Sequence, residues 1–260
     1  MIEYKLQYPQ CSAPPNTVTQ ILGHASGRNE AIELALFNDH RFAFYFWAKW
    51  NQKFLKPFDL VTFDWHQDLV YPEEFQKKEL ERIDLKNLGE VSYFSWARLN
   101  PLNDTHIMSS AYLNHIGDIW VLCKQGDNWE EEYIYDFLGQ KHTVRKFKTA
   151  KELWHEIKTY TIERLYFDID LDFFTIENDT SNSDLFYSYE TNKFIEELLS
   201  PNNELTNWIL KRTEGLTIAL EPGCTGGISK SLEILSVIET FWFKQSIGPR
   251  NNNWKHLPEY

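Results

Sequence analysis

The chain has 260 residues, and its 38 acidic side chains outnumber 26 Lys and Arg to leave a formal net charge of −12. That sign excludes generic binding to nucleic acid or to an anionic membrane, both of which need basic surface, and suits a cationic substrate or bound metal ions. Hydrophobic residues at 42% and charged residues at 25% are ordinary for a globular protein, and no shift in composition divides the chain, so one domain over 1–260 with short irregular extensions is expected.

The opening "MIEYKLQYPQCSAPPN" has no basic segment leading into an apolar run, so no secretory leader is expected. "AIELALFN" (31–38) reads as a strand, with His40 just beyond it and a helical pattern over 39–50. "DLVTFD" (59–64) is the next strand, and it runs into "LVTFDWHQDLVYP", where Asp64, His66 and Asp68 occupy alternate positions. A helix is expected over 73–83, then strands "DIWVLC" (118–123) and "TVRKFK" (143–148), then a helix over 149–159. "RLYFDIDL" (164–171) is a strand that carries Asp168 and Asp170, with Asp172 two positions on. The turn-rich "TIENDTSNSDLFYSYET" (175–191) reads as a surface loop, followed by helices over 190–199 and 203–213. "LTIALE" (216–221) ends on Glu221, the last helix covers 229–244, and the tail "GPRNNNWKHLPEY" reads as irregular. Cys11, Cys123 and Cys224 are odd in number and widely spaced, which fits a reducing cytoplasm and neither a disulfide framework nor a zinc ribbon. No stretch approaches the length of a membrane span. The 16% aromatic content, ten Trp included, is read first as a bulky core and second as a groove for a partner.

Strands alternating with helices imply a mainly parallel sheet with helices on both faces, a three-layer α/β/α architecture. In such sheets ligands gather outside the carboxyl ends of the strands. The strongest polar groups stand there: His40, the Asp64 cluster, the Asp168 cluster and Glu221. Alternate positions of a strand face one way, so Asp168, Asp170 and Asp172 stack negative charge on one side of an apolar segment. A lone Asp-x-Asp more often caps a turn, but two clusters in one acidic chain favour divalent cations, for which carboxylate and imidazole are apt ligands.

These blocks resemble the binuclear manganese site of the ureohydrolases, arginase and agmatinase, in the arginase-deacetylase fold. "NDHRFAFYFWAKW", "FDWHQDLVYP", "YFDIDLDFF" and "TIALEPGCTGG" are more closely similar to the ureohydrolase-like uncharacterised protein family 0489, whose bacterial members include peptide arginases. The resemblance spans about residues 30–245 and implies two Mn2+ ions. His40 and His66 would each be a terminal ligand of one ion, Asp64 and Asp168 would bridge, Asp68 would bind the first ion and Asp170 the second. Glu221 would accept hydrogen bonds from a substrate guanidinium, a planar donor that a carboxylate meets bidentately. Asp68, His106 and His115 are the candidate catalytic residues, the two histidines as donors or shuttles of the proton that the leaving nitrogen needs. Asp172 is read as supporting the ligands, and His24, His142, His155 and His256 as ordinary surface or core histidines. The implied substrate is arginine within a ribosomally made precursor peptide, converted to ornithine with release of urea; an oligomer is compatible with this reading.

Departures shape the reading. His40 is reached through Asn38-Asp39-His40-Arg41 rather than a Gly-Gly-Asp-His turn, Asp172 sits one position early, and a closing Asp-Pro is missing. After Asp68 comes "LVYPEEFQKKELER", without the polar loop that grips free arginine, so free arginine or agmatine is the alternative substrate. A single-zinc amide hydrolase of the deacetylase group, a degenerate peptide-binding module and a two-metal nuclease or phosphatase are the rivals. The last brings basic residues to its phosphate, where Glu221 would repel it.

Overall fold

The computed structural model describes residues 13–54, 56–126, 131–176, 188–248 and 252–257. An eight-stranded sheet runs in the order β1 (Val18–Gly23), β2 (Ala31–Phe37), β10 (Thr213–Ala219), β7 (Leu165–Asp170), β3 (Phe58–Asp64), β4 (Ile116–Cys123), β6 (Lys141–Phe147), β5 (Glu132–Tyr135). The six inner strands are parallel, and β1 and β5 close the two edges antiparallel. Every residue of β7 is buried, as expected of a central parallel strand covered on both faces.

Helices α1 (Ala43–Asn51), α2 (Glu74–Leu80), α3 (Leu88–Ala97) and α4 (His106–Tyr112) join Leu60, Val121 and Tyr166 in one core. On the other face α5 (Ala150–Ile157), α6 (Asn192–Leu199), α7 (Glu204–Leu210) and α8 (Ile228–Trp242) pack on Val61, Phe167 and Leu216. The result is the three-layer α/β/α fold that the strand-helix alternation implies. α1 lies so close to the sheet that a Cβ on Gly215 would meet the Trp50 ring at 2.3 Å, which reserves that position for glycine. α5 starts at a reciprocal cap: the Thr149 hydroxyl accepts from Glu152 N at 3.2 Å, and Thr149 N donates to the Glu152 carboxylate at 3.0 Å.

Some elements differ from the sequence reading. α3 and α4 were not expected, because α4 is buried on every side and so shows no apolar stripe. The edge strands β1 and β5 were missed as well. The tail is not wholly irregular: Trp254 is fully buried, bridges Phe243 and donates its indole N–H to Gly23 O at 2.7 Å. Of the expected surface loop, the ends pair as β8 (Thr175–Ile176) and β9 (Ser188–Tyr189), and residues 177–187 lie outside the described residues, as does Cys11. Among the described residues no helix is long and apolar enough to cross a membrane.

Candidate metal centre

Four adjacent parallel strands, β2, β10, β7 and β3, deliver the polar groups to one rim. The register aligns Ala219 with both Phe37 and Asp170, and Phe63 with Ile169, so the strands end level. Asp64 and Asp170 close β3 and β7, Glu221 follows β10 by two residues, and His40 follows β2 by three. Asp172 sits in the tight 3-10 turn after β7, and His66 and Asp68 lie in the loop after β3.

Hydrogen bonds aim the carboxylates. Asp64 Oδ1 accepts from His66 N at 2.7 Å, Asp170 Oδ1 from Asp172 N at 3.0 Å, and Asp172 Oδ1 from Trp65 N at 3.1 Å. One oxygen of each is thereby held by backbone, and the other turns to a histidine. Around His40 Nδ1 stand Asp170 Oδ2 at 3.1 Å, Asp68 Oδ2 at 3.2 Å and Asp64 Oδ2 at 3.4 Å. Asp172 Oδ2 is 2.8 Å from His66 Nδ1.

Asp168 departs from the bridging role that the resemblance implied. On β7 it lies one layer beneath Asp170 and level with Thr62 and Thr217 on the flanking strands. Its Oδ2 accepts from Thr62 Oγ1 and from His40 Nε2, both at 2.7 Å, and its Oδ1 from Thr217 Oγ1 at 2.5 Å. With both oxygens engaged below the ring, Asp168 fixes the His40 tautomer so that Nδ1 faces the carboxylates, the arrangement a ligating histidine requires. The period-two spacing of the strand explains the shift: the aspartates of this segment that reach the rim are Asp170 and Asp172, and Asp172, read from sequence as support, stands in a group with Asp64 and His66 that could hold a metal ion.

His106, at the start of α4, packs its ring 4.3 Å from that of His40. Its Nδ1 donates to Asn103 O at 2.7 Å, and its buried Nε2 has no hydrogen-bond partner among the described residues. Burial and the nearby His40 hold its pKa well below the ordinary value, so it presents a lone pair rather than a proton. His115 lies elsewhere: it packs edge-on to Phe44 at 5.6 Å, and burial alone pushes its pKa down to about 3. Among the described residues the structure does not bring it to the rim, where His106 stands.

Glu221 accepts from His40 N at 2.8 Å and from Asn103 Nδ2, both through Oε1. Residues with left-handed φ are mostly asparagine or glycine here, and the two exceptions, Asp68 at 51° and Glu221 at 40°, both line the cleft over the cluster. Backbone strain of that kind persists where the surroundings demand a side-chain direction. The cleft has a volume of about 610 Å³, is walled by Gln67, Val70, Leu102 and Glu132 among others, and among the described residues carries no Lys or Arg in its lining.

The cluster is short of positive charge. Burial first, and neighbouring carboxylates second, raise Asp64 and Asp170 well above the carboxylate range, and burial pushes Glu221 up to about 7. Burial works against a charged His40, yet Asp168 and Asp170 hold its pKa well above the ordinary value; His66, opposed by burial and supported by Asp172, rises to about 9. Divalent cations would relieve the same repulsion. Three ligand sets fit that demand, each with donor atoms within 4.8 Å of one another: His40, Asp68 and His106; His40, Asp64 and Asp170; Asp64, His66 and Asp172. Asp64 belongs to two of them, and its Oδ2 is buried without a hydrogen bond.

Thr62, Thr217, Asn103 and the full part of Asp172 escaped the sequence reading. The threonines had a signal, being at alternate positions from rim residues on strands expected to neighbour β7; Asn103, in a loop, had none.

No protein-family model matches the chain, and no curated protein matches it in sequence. Fold and site define an α/β/α protein with a buried His/Asp cluster, able to hold metal, at the carboxyl ends of its parallel strands.

Proposed function

We propose that the protein is a manganese-dependent ureohydrolase that holds two divalent cations and converts arginine side chains within a peptide to ornithine and urea. One observation carries the reading: the outward oxygens of Asp64, Asp68, Asp170 and Asp172 converge on the Nδ1 atoms of His40 and His66, with Asp64 common to two ligand sets. Oxygen and imidazole donors suit manganese, and a shared carboxylate is what a paired site needs. Metal ions held there would supply Lewis acidity and lower the pKa of a water molecule towards neutrality.

The chain's own part is binding and orientation. Glu221, its Oε1 fixed by His40 N and Asn103, offers the other oxygen to a planar cation in the cleft. Asp168, through His40 Nε2, keeps a ligand atom on target. Among the described residues the cleft lining holds His66 but no Lys or Arg, and Lys146 beside it is already engaged by Glu132 and Gln67 of the wall, which supports an arginine inside a peptide over free arginine, and counts against phosphoryl substrates. Incubating the manganese-loaded protein with an arginine-containing peptide should release urea and leave ornithine, read by mass spectrometry. Unchanged peptide with fully loaded protein would sink the reading.

A second reading has its own support. His40, Asp68 and His106 form a two-histidine, one-carboxylate set of the kind that holds a single catalytic zinc in an amide hydrolase. Metal analysis separates the two: two manganese per chain, or one zinc.

A further inference from the structure

We infer that Asn103, through its side-chain Oδ1, forms with Glu221 a paired acceptor for a planar cation rich in N–H groups, a guanidinium or amidinium. The inference rests on the proposed ureohydrolase reading and adds to it a residue that determines specificity.

Asn103 lines the cleft, is 9% exposed, and holds φ at 60°, a left-handed conformation that asparagine tolerates. Three bonds fix it in place. Its N–H donates to Asn100 O at 3.0 Å, its carbonyl accepts from His106 Nδ1 at 2.7 Å, and its Nδ2 donates to Glu221 Oε1. The amide that reaches Glu221 through Nδ2 carries Oδ1 beside it, and that buried oxygen has no partner among the described residues. A buried acceptor left empty costs about 1–3 kcal/mol, so a ligand donor there is favoured. Glu221 Oε1 is filled by two donors, and among the described residues Oε2 takes none. The two open acceptors therefore belong to groups joined by one hydrogen bond in the cleft wall, one neutral and one charged. A guanidinium offers donors on adjacent nitrogens and can serve both at once; an ammonium, a point charge, cannot span them with a fixed plane. A carbonyl in place of one nitrogen would set oxygen against Asn103 Oδ1.

The test compares peptides carrying arginine or citrulline, which differ by that one substitution, on the metal-loaded protein. Wild type should bind the arginine peptide far more tightly, as KM against the calorimetric Kd of the citrulline peptide. Asn103→Gly keeps the left-handed backbone without strain; it should narrow the arginine-to-citrulline preference roughly 10-fold or more by removing a hydrogen bond to a charged group. Metal content should stay at the wild-type level, and the thermal midpoint should fall by only a few degrees with the loss of the bond to Glu221. Asn103→Asp, of the same shape, should weaken both peptides by setting a carboxylate against Glu221. An unchanged preference in Asn103→Gly, with urea release intact in wild type, overturns the role of Asn103 alone. Failure of wild type to prefer arginine or to release urea overturns the ureohydrolase reading and this inference together.

Discussion

At the amino ends of the parallel strands, Glu214 is paired with Arg28 and Arg164, and Asp118 with Arg145 at 3.0 Å. At the carboxyl ends, the only basic side chains in ion-pair reach of Asp64, Asp68, Asp170 and Asp172 among the described residues are His40 and His66. Both rims carry buried or half-buried acids. One is given guanidinium partners that are always charged; the other is given imidazoles, which can exchange a proton for a metal. Where the chain supplies arginine an acid has a fixed partner, and where it does not the acids are left able to take a metal ion in place of a proton.

The largest expected effect follows from that gap. Manganese at about a hundred times its Kd should stabilise the protein by about 2.7 kcal/mol for each ion held, a rise in thermal midpoint of about 5–10 °C per ion for a chain of this size. Asp64→Asn should remove most of the rise, since Asp64 belongs to two ligand sets. Asp168→Asn should behave otherwise: the same number of ions at saturation, bound about 10–100-fold more weakly, as is typical when the group orienting a ligand is lost. A lower metal count in Asp168→Asn would restore it as a ligand.

Neutralising one acid at each rim should move metal-free stability in opposite directions. Glu214→Gln leaves Arg28 and Arg164 with Glu30 alone and should cost about 1 kcal/mol, well below the loss of a fully buried pair, because both arginines are partly exposed and keep a carboxylate. Asp170→Asn removes a charge that burial and the carboxylates of Asp172 and Glu221 all disfavour, and should raise the midpoint of the metal-free protein at neutral pH. Urea denaturation in chelator checks both, and a fall for Asp170→Asn would mean that pairing with His40 outweighs the repulsion.

The contrast also explains what could be read from sequence. The inner strands and the helices after them were legible because each is a run of one period, and the rim was legible because polar residues that interrupt such runs at strand ends stand out. Which aspartate faces the rim was not. Asp168, Asp170 and Asp172 share a spacing, and only the register with Thr62 and Thr217 shows that Asp168 lies a layer below. His106 and His115 looked alike, both in the segment that becomes α4 and the turn after it; the helix turns one towards His40 and leaves the other against Phe44. Asn103 depends on a loop conformation that no periodicity encodes.

The amino-end rim has one acid that its arginines serve poorly, and it gives the smallest effect. Asp59, at the start of β3, accepts from Asp118 N at 3.0 Å, and Gly117 gives it room, since a Cβ there would come within 2.6 Å of the carboxylate. Burial first and the Asp118 charge second push its pKa from 3.8 to about 6. The folded state therefore holds this proton more tightly than the unfolded chain, and stability falls as pH rises from about 4 to about 6, with the full penalty present above that window. Asp59→Asn keeps an oxygen for Asp118 N and carries no charge. It should flatten that limb of the pH profile and gain about 1 kcal/mol at neutral pH, discounted for partial exposure, with little change near pH 4. Denaturation midpoints measured across the window decide it: a gain equal at both ends would trace the effect to packing rather than to the charge.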